Sequence, residues 1–327
     1  MSAVVIWFKR YALQLVVLAI VIASVYGLYP NFRIEASLDR LIPLGVIAAG
    51  LAVTMIAGEF DLSIASMAAL AGALTVVLSG MGLIVAVVTS IAICTVLGVI
   101  QGWAIAKLGI NSLVFTVGTL VLLRGLTWLV CGGLAISVDD VTASDVFYGK
   151  FLIFSPLSAT ALVILITLGI FLGRTRWGRE LYALGSARQE AVAAGVRYKR
   201  GMMVAFGISA GCGAVGGALT SGLSGSASPT ALESMLVLGI AAALVGGISI
   251  AGGRGTMVNV FLGFAIISVL SAGLAGMGSK AFVAQLFTGI FLLLIVLTEY
   301  VIRRISQENS RKRRRRMVET SVLEPSR

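Results

Sequence analysis

Long apolar stretches separated by brief polar interruptions dominate this chain. They fall at roughly residues 7–29, 41–57, 62–79, 83–106, 113–131, 157–173, 201–222, 234–250, 256–275 and 282–302. Each is about the 17 to 25 mostly apolar residues with which an α-helix crosses a hydrocarbon core about 30 Å thick. The pattern predicts an all-α integral membrane protein with about ten transmembrane helices.

Two of the divisions rest on length rather than on a polar gap. A single helix over 41–79 would run about 58 Å, nearly twice the bilayer core. The chain must therefore break inside it, and "GEFD", residues 58–61, is where a turn fits. The region 201–275 would exceed about 100 Å as one helix, so it is expected to fold into three passes, interrupted at "GSASPTALE" and "GGRG".

Composition supports the same class: of 327 residues, 58% are hydrophobic and 12% charged, with a mean hydropathy of +1.04. That is too apolar for an ordinary soluble domain. The placement of Lys and Arg predicts orientation. With the N-terminus inside, Lys9, Arg10, Lys107, Arg254, the run of basic residues from Arg174 to Arg200 and the tail from Arg303 all fall on the inner side. Only Arg33, Arg40, Lys150 and Lys280 fall outside. The chain divides into a transmembrane domain, 1–302, with a cytosolic loop at 174–200, and a basic cytosolic tail, 303–327. The first span exceeds a signal-peptide core and reads as an uncleaved anchor.

The net charge of +11 is absorbed by this asymmetry and by "RKRRRR" next to the last span, where anionic lipid attracts it. Membrane lipid, not nucleic acid, is the expected partner of that charge. The chain has no histidine, which removes histidine general bases, Ser-His-Asp sites and the usual zinc sites. No metal site and no catalytic residues are expected. "GISAG" and "GCGAVG" imitate a nucleophile elbow and a dinucleotide fingerprint, but neither has the strand before it that those motifs need. They are better read as helix packing: Gly207 and Gly211, and Gly213 and Gly217, stand one turn apart and let a neighbouring helix approach. Cys94, Cys131 and Cys212 lie in predicted spans without C-x-x-C spacing and read as small packing residues. No P-loop motif occurs, so no ATP site of that kind is expected in this chain.

The longest inner hydrophilic loop is 174–200. Within it, Ser186 with Gln189 is expected to cap a helix of about two turns that continues through Ala191 and Ala194 and ends at Gly195. So short a helix is marginal alone in water and has to be held by other contacts. Its alanine face, flanked by Arg188, Glu190 and Arg197, suits a groove on a cytosolic partner.

Four blocks, "GEFDLSIASMAALAGAL", "NSLVFTVGTLVLLRGLTWLVCGG", "GRELYALGSARQEAVAAGV" and "ALVGGISIAGGRGTMVNVFLG", in this order and spacing, resemble the membrane subunits of ribose-type, simple-sugar ABC importers. The resemblance covers about residues 40–302. It implies a permease of about ten spans in the bacterial inner membrane, paired with a second permease subunit as a homodimer or heterodimer. It further implies a separate ATP-binding subunit that carries ATP and magnesium, so that this chain holds no cofactor, and a periplasmic sugar-binding protein that delivers substrate. "EAVAAG", Glu190 to Gly195, resembles the coupling helix that seats in the ATPase. The pattern departs from the family at Glu59, where a glycine is expected before "DLS".

Charges within the spans carry the remaining information. Arg124, near the middle of the fifth span, costs about 2.5–3.5 kcal/mol on insertion scales and must face protein or water. Asp61 and Glu59 are its candidate partners. Asp61 can instead cap the third span by accepting from the N–H of Ser63 or Ile64. Ser63, Ser66, Thr116, Thr119, Ser221 and Ser224 are candidate pathway hydroxyls, each with an alternative as an ordinary helix hydrogen bond. The rival to an ATP-driven permease is an ion-coupled secondary transporter in which Glu59, Asp61 and Arg124 form the relay.

Overall fold

A computed structural model describes residues 3–33, 42–138 and 155–278, with scattered helical positions between 283 and 297. The expected tenth span and the basic tail otherwise lie outside the described residues. The first compact unit, Met1–Ser279, is built of helices. In chain order these are α1 (Ala3–Leu28), α2 (Ile47–Ile56, entered through a π-helical turn at Ile42–Val46), α3 (Ile64–Val77), α4 (Leu83–Leu108) and α5 (Ser112–Val130). After a gap come α6 (Pro156–Arg174), α7 (Arg176–Ser186), α8 (Arg188–Ala193), α9 (Tyr198–Ser224), α10 (Glu233–Gly246) and α11 (Met257–Gly276).

Six of these, α1, α4, α5, α6, α9 and α11, are long and apolar enough to cross a membrane. Three shorter apolar helices occupy Ile42–Ile56, Ile64–Val77 and Glu233–Gly246. Every residue of α2 is buried. A helix that is apolar all round belongs in the interior, and α2 and α3 sit there.

The core is organised on α9, which packs against α4, α3 and α2. Its glycines determine how close those helices come. A Cβ on Gly213 would lie 2.7 Å from the carbonyl oxygen of Ile64, and one on Gly217 only 1.8 Å from that of Ala68, both on α3. Gly207 and Gly211 face Val99 and Thr95 on α4 instead. The approach to α4 is reciprocal, because a Cβ on Gly98 or Gly102 would strike the carbonyl oxygens of Phe206 or Met202 on α9. Small residues on both surfaces bring the backbones together, and dispersion replaces the hydrophobic drive that lipid does not supply. A second layer pairs α10 with α11 and α11 with α1. Here Gln14 Nε2 of α1 donates to the Gly246 carbonyl at 3.1 Å, and Tyr11 and Thr256 share a 3.1 Å hydrogen bond.

The break at "GEFD" is formed by a Schellman turn. Gly58, at φ +79°, follows the last turn of α2. The Gly58 N–H donates to Met55 O and the Glu59 N–H to Thr54 O. A left-handed residue there needs glycine, which satisfies two terminal carbonyls and stops the helix. The other two breaks fall where the length arithmetic places them, between α9 and α10 and between α10 and α11.

The loops sort onto two ends of the bundle. The break after α2 meets the α7–α8 elbow and the loop between α10 and α11: Gly253 N–H donates to Ile56 O at 2.9 Å, and Gly185 lies against Gly58. At the other end a two-residue ladder joins β1 (Ile136–Ser137) to β2 (Ser226–Ala227), antiparallel, tying the segment after α5 to the segment after α9. This grouping matches an alternation of passes in which 58–61, 174–200 and 252–255 share one side.

Candidate functional site

The break between α2 and α3 gathers the buried carboxylates Glu59 and Asp61 with the buried polar side chains of Ser63, Gln101, Ser112, Thr116 and Ser209. Its backbone cannot continue a helical ladder, and a buried N–H left without an acceptor costs about 1–3 kcal/mol. Side chains at the start of α5 fill the gap: Phe60 N–H donates to Ser112 Oγ at 3.3 Å, and Leu62 N–H donates to Thr116 Oγ1 at 3.2 Å. Thr116, fully buried, is thus engaged with the break's backbone. Ser112 was not singled out in the sequence; it opens α5 directly after Asn111, whose side chain accepts from the Leu113 N–H.

Asp61 lies at the centre of this region, 1% exposed. Its Oδ1 accepts from the Ser63 N–H at 3.0 Å, from the Ser63 hydroxyl and from Gln101 Nε2 at 3.3 Å, and its Oδ2 accepts from Ser209 Oγ at 2.7 Å. The acid holds the first turn of α3 through Ser63 and links it to α4 and α9. Gln101 and Ser209 are the partners that sequence reading missed, although a glutamine inside a long apolar span is a signal that something polar faces it.

Glu59 points elsewhere. Its carboxylate, 7% exposed, accepts from the Arg188 guanidinium and, at 3.1 Å, from the Tyr198 hydroxyl. The Arg188 guanidinium also stacks over the Tyr198 ring, 4.9 Å from its centre. Arg124 pairs with neither acid. Its guanidinium lies 3.1 Å from Glu233, the first residue of α10, in a recess of about 20 Å³ that Ser66 also lines. Glu59, Asp61 and Arg124 therefore hold three separate sets of partners, and the relay expected of an ion-coupled carrier is not assembled. The pairing of Arg124 with Glu59 or Asp61 is corrected to Glu233, which begins α10 at the recess opposite α5.

The remaining hydroxyls divide. Thr119 bonds its own helix at Phe115 O. Ser221 and Ser224 line a cavity of about 140 Å³ with Ser226 and Ser228, beside the β1–β2 ladder. Ser63 is committed to Asp61.

The loop 174–200 holds two helices. The first, α7, was not expected. Thr175 caps it, accepting from the Gly178 N–H at 3.1 Å, and Leu181 and Leu184 bury one side. The capping box at Ser186 is therefore corrected: Ser186 is the last residue of α7, its side chain lies against Gly253, and α8 starts after Ala187 without a side-chain cap. The C-terminus of α8 ends in a Schellman turn, with Gly195 at φ +91° and the N–H groups of Gly195 and Val196 donating to Val192 O and Ala191 O. Ala191 is buried, whereas Glu190, Ala194 and Gly195 are exposed. Beside α8 a cavity of about 180 Å³ is lined by Arg176, Trp177, Arg197 and Arg200.

A bundle of apolar helices with its carboxylates held by hydroxyl, amide and guanidinium donors has the make-up of a membrane-embedded permease. Comparison with known proteins narrows this. Residues 33–297 match the family described as "Branched-chain amino acid transport system / permease component", and the chain belongs to that family. It is 27% identical over 297 residues to the ribose import permease protein RbsC of Escherichia coli strain K12, covering 88% of this chain and 92% of that protein. It is 30% identical over 259 residues to the ribose import permease of Bacillus subtilis strain 168, covering 78% and 80%. To the L-arabinose permease AraH of Escherichia coli strain K12 it is 29% identical over 291 residues, covering 87% and 88%. No solved structure matches the chain. These matches agree with the resemblance carried by the four sequence blocks.

Proposed function

We propose that the chain is the membrane-spanning subunit of an ATP-driven importer that carries a monosaccharide or related polyol across the bacterial inner membrane. The observation that carries this reading is the near full-length similarity to permeases named for ribose and for L-arabinose. The spans number about ten, with both termini in the cytosol. A second permease subunit, identical or sister, completes the pathway. Helix α8 is the coupling helix: an ATP-binding subunit, which binds ATP and magnesium, seats over its exposed face at Glu190, Ala194 and Gly195. The neighbouring cavity supports this reading, because its lining of Arg176, Arg197 and Arg200 with one carboxylate, Glu180, paired to Arg176, offers a partner a net positive recess. A periplasmic binding protein delivers the sugar from the opposite side.

Uptake of radiolabelled D-ribose and L-arabinose into vesicles carrying the complex tests the proposal. ATP-dependent accumulation that survives collapse of the proton and sodium gradients is the expected result. Loss of uptake on collapse with ATP still present, or accumulation of leucine or valine in place of either pentose, would overturn it.

A further inference from the structure

Glu59 is a buried carboxylate at a position where the family resemblance leads one to expect glycine, and neither the hydroxyl pathway nor the Asp61 network uses it. Its partners lie in the same loop layer, at the α7–α8 elbow and at the start of α9. Arg188 is the first residue of α8 and Tyr198 the first of α9, so one acid joins the start of the short exposed helix to the start of the central long one.

The backbone around this cluster is locked without side chains. A Cβ on Gly185, just before the α7–α8 elbow, would lie 1.9 Å from Ile56 O and 2.7 Å from Gly253 N; Gly252 is equally close to Gly58 and to Gly185 O. The elbow is therefore wedged between the end of α2 and the α10–α11 loop. Of the six residues of α8 only Ala191 is buried. The helix is held firmly at its N-terminus and presents its other end outward. Two residues beyond Glu59, Asp61 holds α3, α4 and α9 together. Arg188, Glu59, the backbone of Phe60 and Asp61 form a continuous run of bonded groups from the exposed helix into the packed core.

We propose that Glu59, gripped by Arg188 and Tyr198, is the positioning residue that transmits displacement of α8 to the break between α2 and α3 and so to the core helices. Glu59 touches no substrate; it makes α8 and the break move together. A charge-assisted pair with its acid desolvated is stiff enough for this, whereas a glycine would leave the break tied to the elbow by backbone contact alone. The inference rests on the reading of α8 as the helix that receives the ATPase.

The test uses the full importer in proteoliposomes, reading D-ribose or L-arabinose uptake, whichever the wild type accumulates, together with ATP hydrolysis and recovery of the ATPase subunit in mild detergent. Glu59→Gln keeps volume and removes the charge. It is expected to retain the ATPase subunit while pentose moved per ATP hydrolysed falls about tenfold, a typical size for coupling between sites. Arg188→Gln, on the more exposed side of the pair, gives the same loss if Glu59→Gln folds poorly, and the two together are no worse than either alone. Tyr198→Phe, which removes one hydroxyl, gives a smaller fall. Wild-type pentose per ATP in both Glu59→Gln and Arg188→Gln overturns the proposal, as does full additivity of the two losses. A failure of the docking reading is separate: it shows as unaltered ATPase recovery in Glu190→Lys, whatever the Glu59 variants do.

Discussion

Ser209, midway along α9, donates its hydroxyl to Asp61 Oδ2 at 2.7 Å, fixing the break after α2 to a helix 148 residues further along the chain. With Gln101 of α4 and Ser63, the residue just before α3, it gives the acid donors from three parts of the bundle. Asp61→Ala would leave those donors buried without an acceptor, at about 1–3 kcal/mol each. A lower melting temperature in detergent and reduced uptake are expected. Asp61→Asn, which keeps the volume but turns a donor toward other donors, should fall between the alanine variant and wild type. Unchanged melting and uptake in Asp61→Ala would show that the acid is dispensable.

The glycines of α9 make a graded prediction. Gly217→Ala sets a methyl 1.8 Å from a backbone oxygen of Ala68, which has no rotamer to yield. Overpacking of this kind costs about 1–3 kcal/mol, occasionally more. Gly211→Ala meets the Thr95 side chain at 3.1 Å, which can turn away. Thermal melting should therefore show a large loss for Gly217→Ala and a small one for Gly211→Ala; equal losses would contradict the close approach of α9 to α3.

Arg124 and Glu233 form a partly exposed pair, 42% and 40% accessible in the single chain. Exposed pairs in water contribute about 0–1 kcal/mol, but an Arg left alone at mid-span costs about 2.5–3.5 kcal/mol on insertion scales. Glu233→Gln should lower the yield of folded protein more than a surface substitution does. Arg124→Glu combined with Glu233→Arg should recover part of it, and the absence of any recovery would show that the pair is incidental.

Substitutions on the exposed face of α8 should leave the membrane domain intact and affect assembly. Glu190→Lys is expected to insert normally and lose most recovery of an ATP-binding subunit. Gly195→Trp should do the same, with an added cost of roughly 1–2 kcal/mol for a side chain at positive φ. A pull-down that recovers the partner at wild-type levels from either variant would count against the docking surface.

The sequence showed the segmentation well because hydrophobic length is a one-dimensional property. The "GEFD" break follows from pitch alone, and Gly58 supplies the turn. Partner choice was less legible. Nothing local distinguishes Glu233 from Glu59 as the mate of Arg124, since that depends on which helices lie side by side. Helix α7 was missed because its Thr175 cap and the Leu181 and Leu184 positions sit among five charged or aromatic residues that read as loop. Ser186 was misassigned for the related reason that a capping pattern is local, whereas the continuity of α7 depends on burying its leucines.

The interlock of α9 with its neighbours bears on how a pathway can open. Where backbone oxygen sits in the space a methyl would need, as Ala68 O does at Gly217 and Phe206 O does at Gly98, no side-chain rotation can clear the way for one helix to slide along another. Shear between α3, α4 and α9 is sterically blocked in a way that shear between leucine-packed helices is not. Such a trio is expected to tilt as a single body, which would put the moving seams of the molecule at its perimeter rather than through its centre.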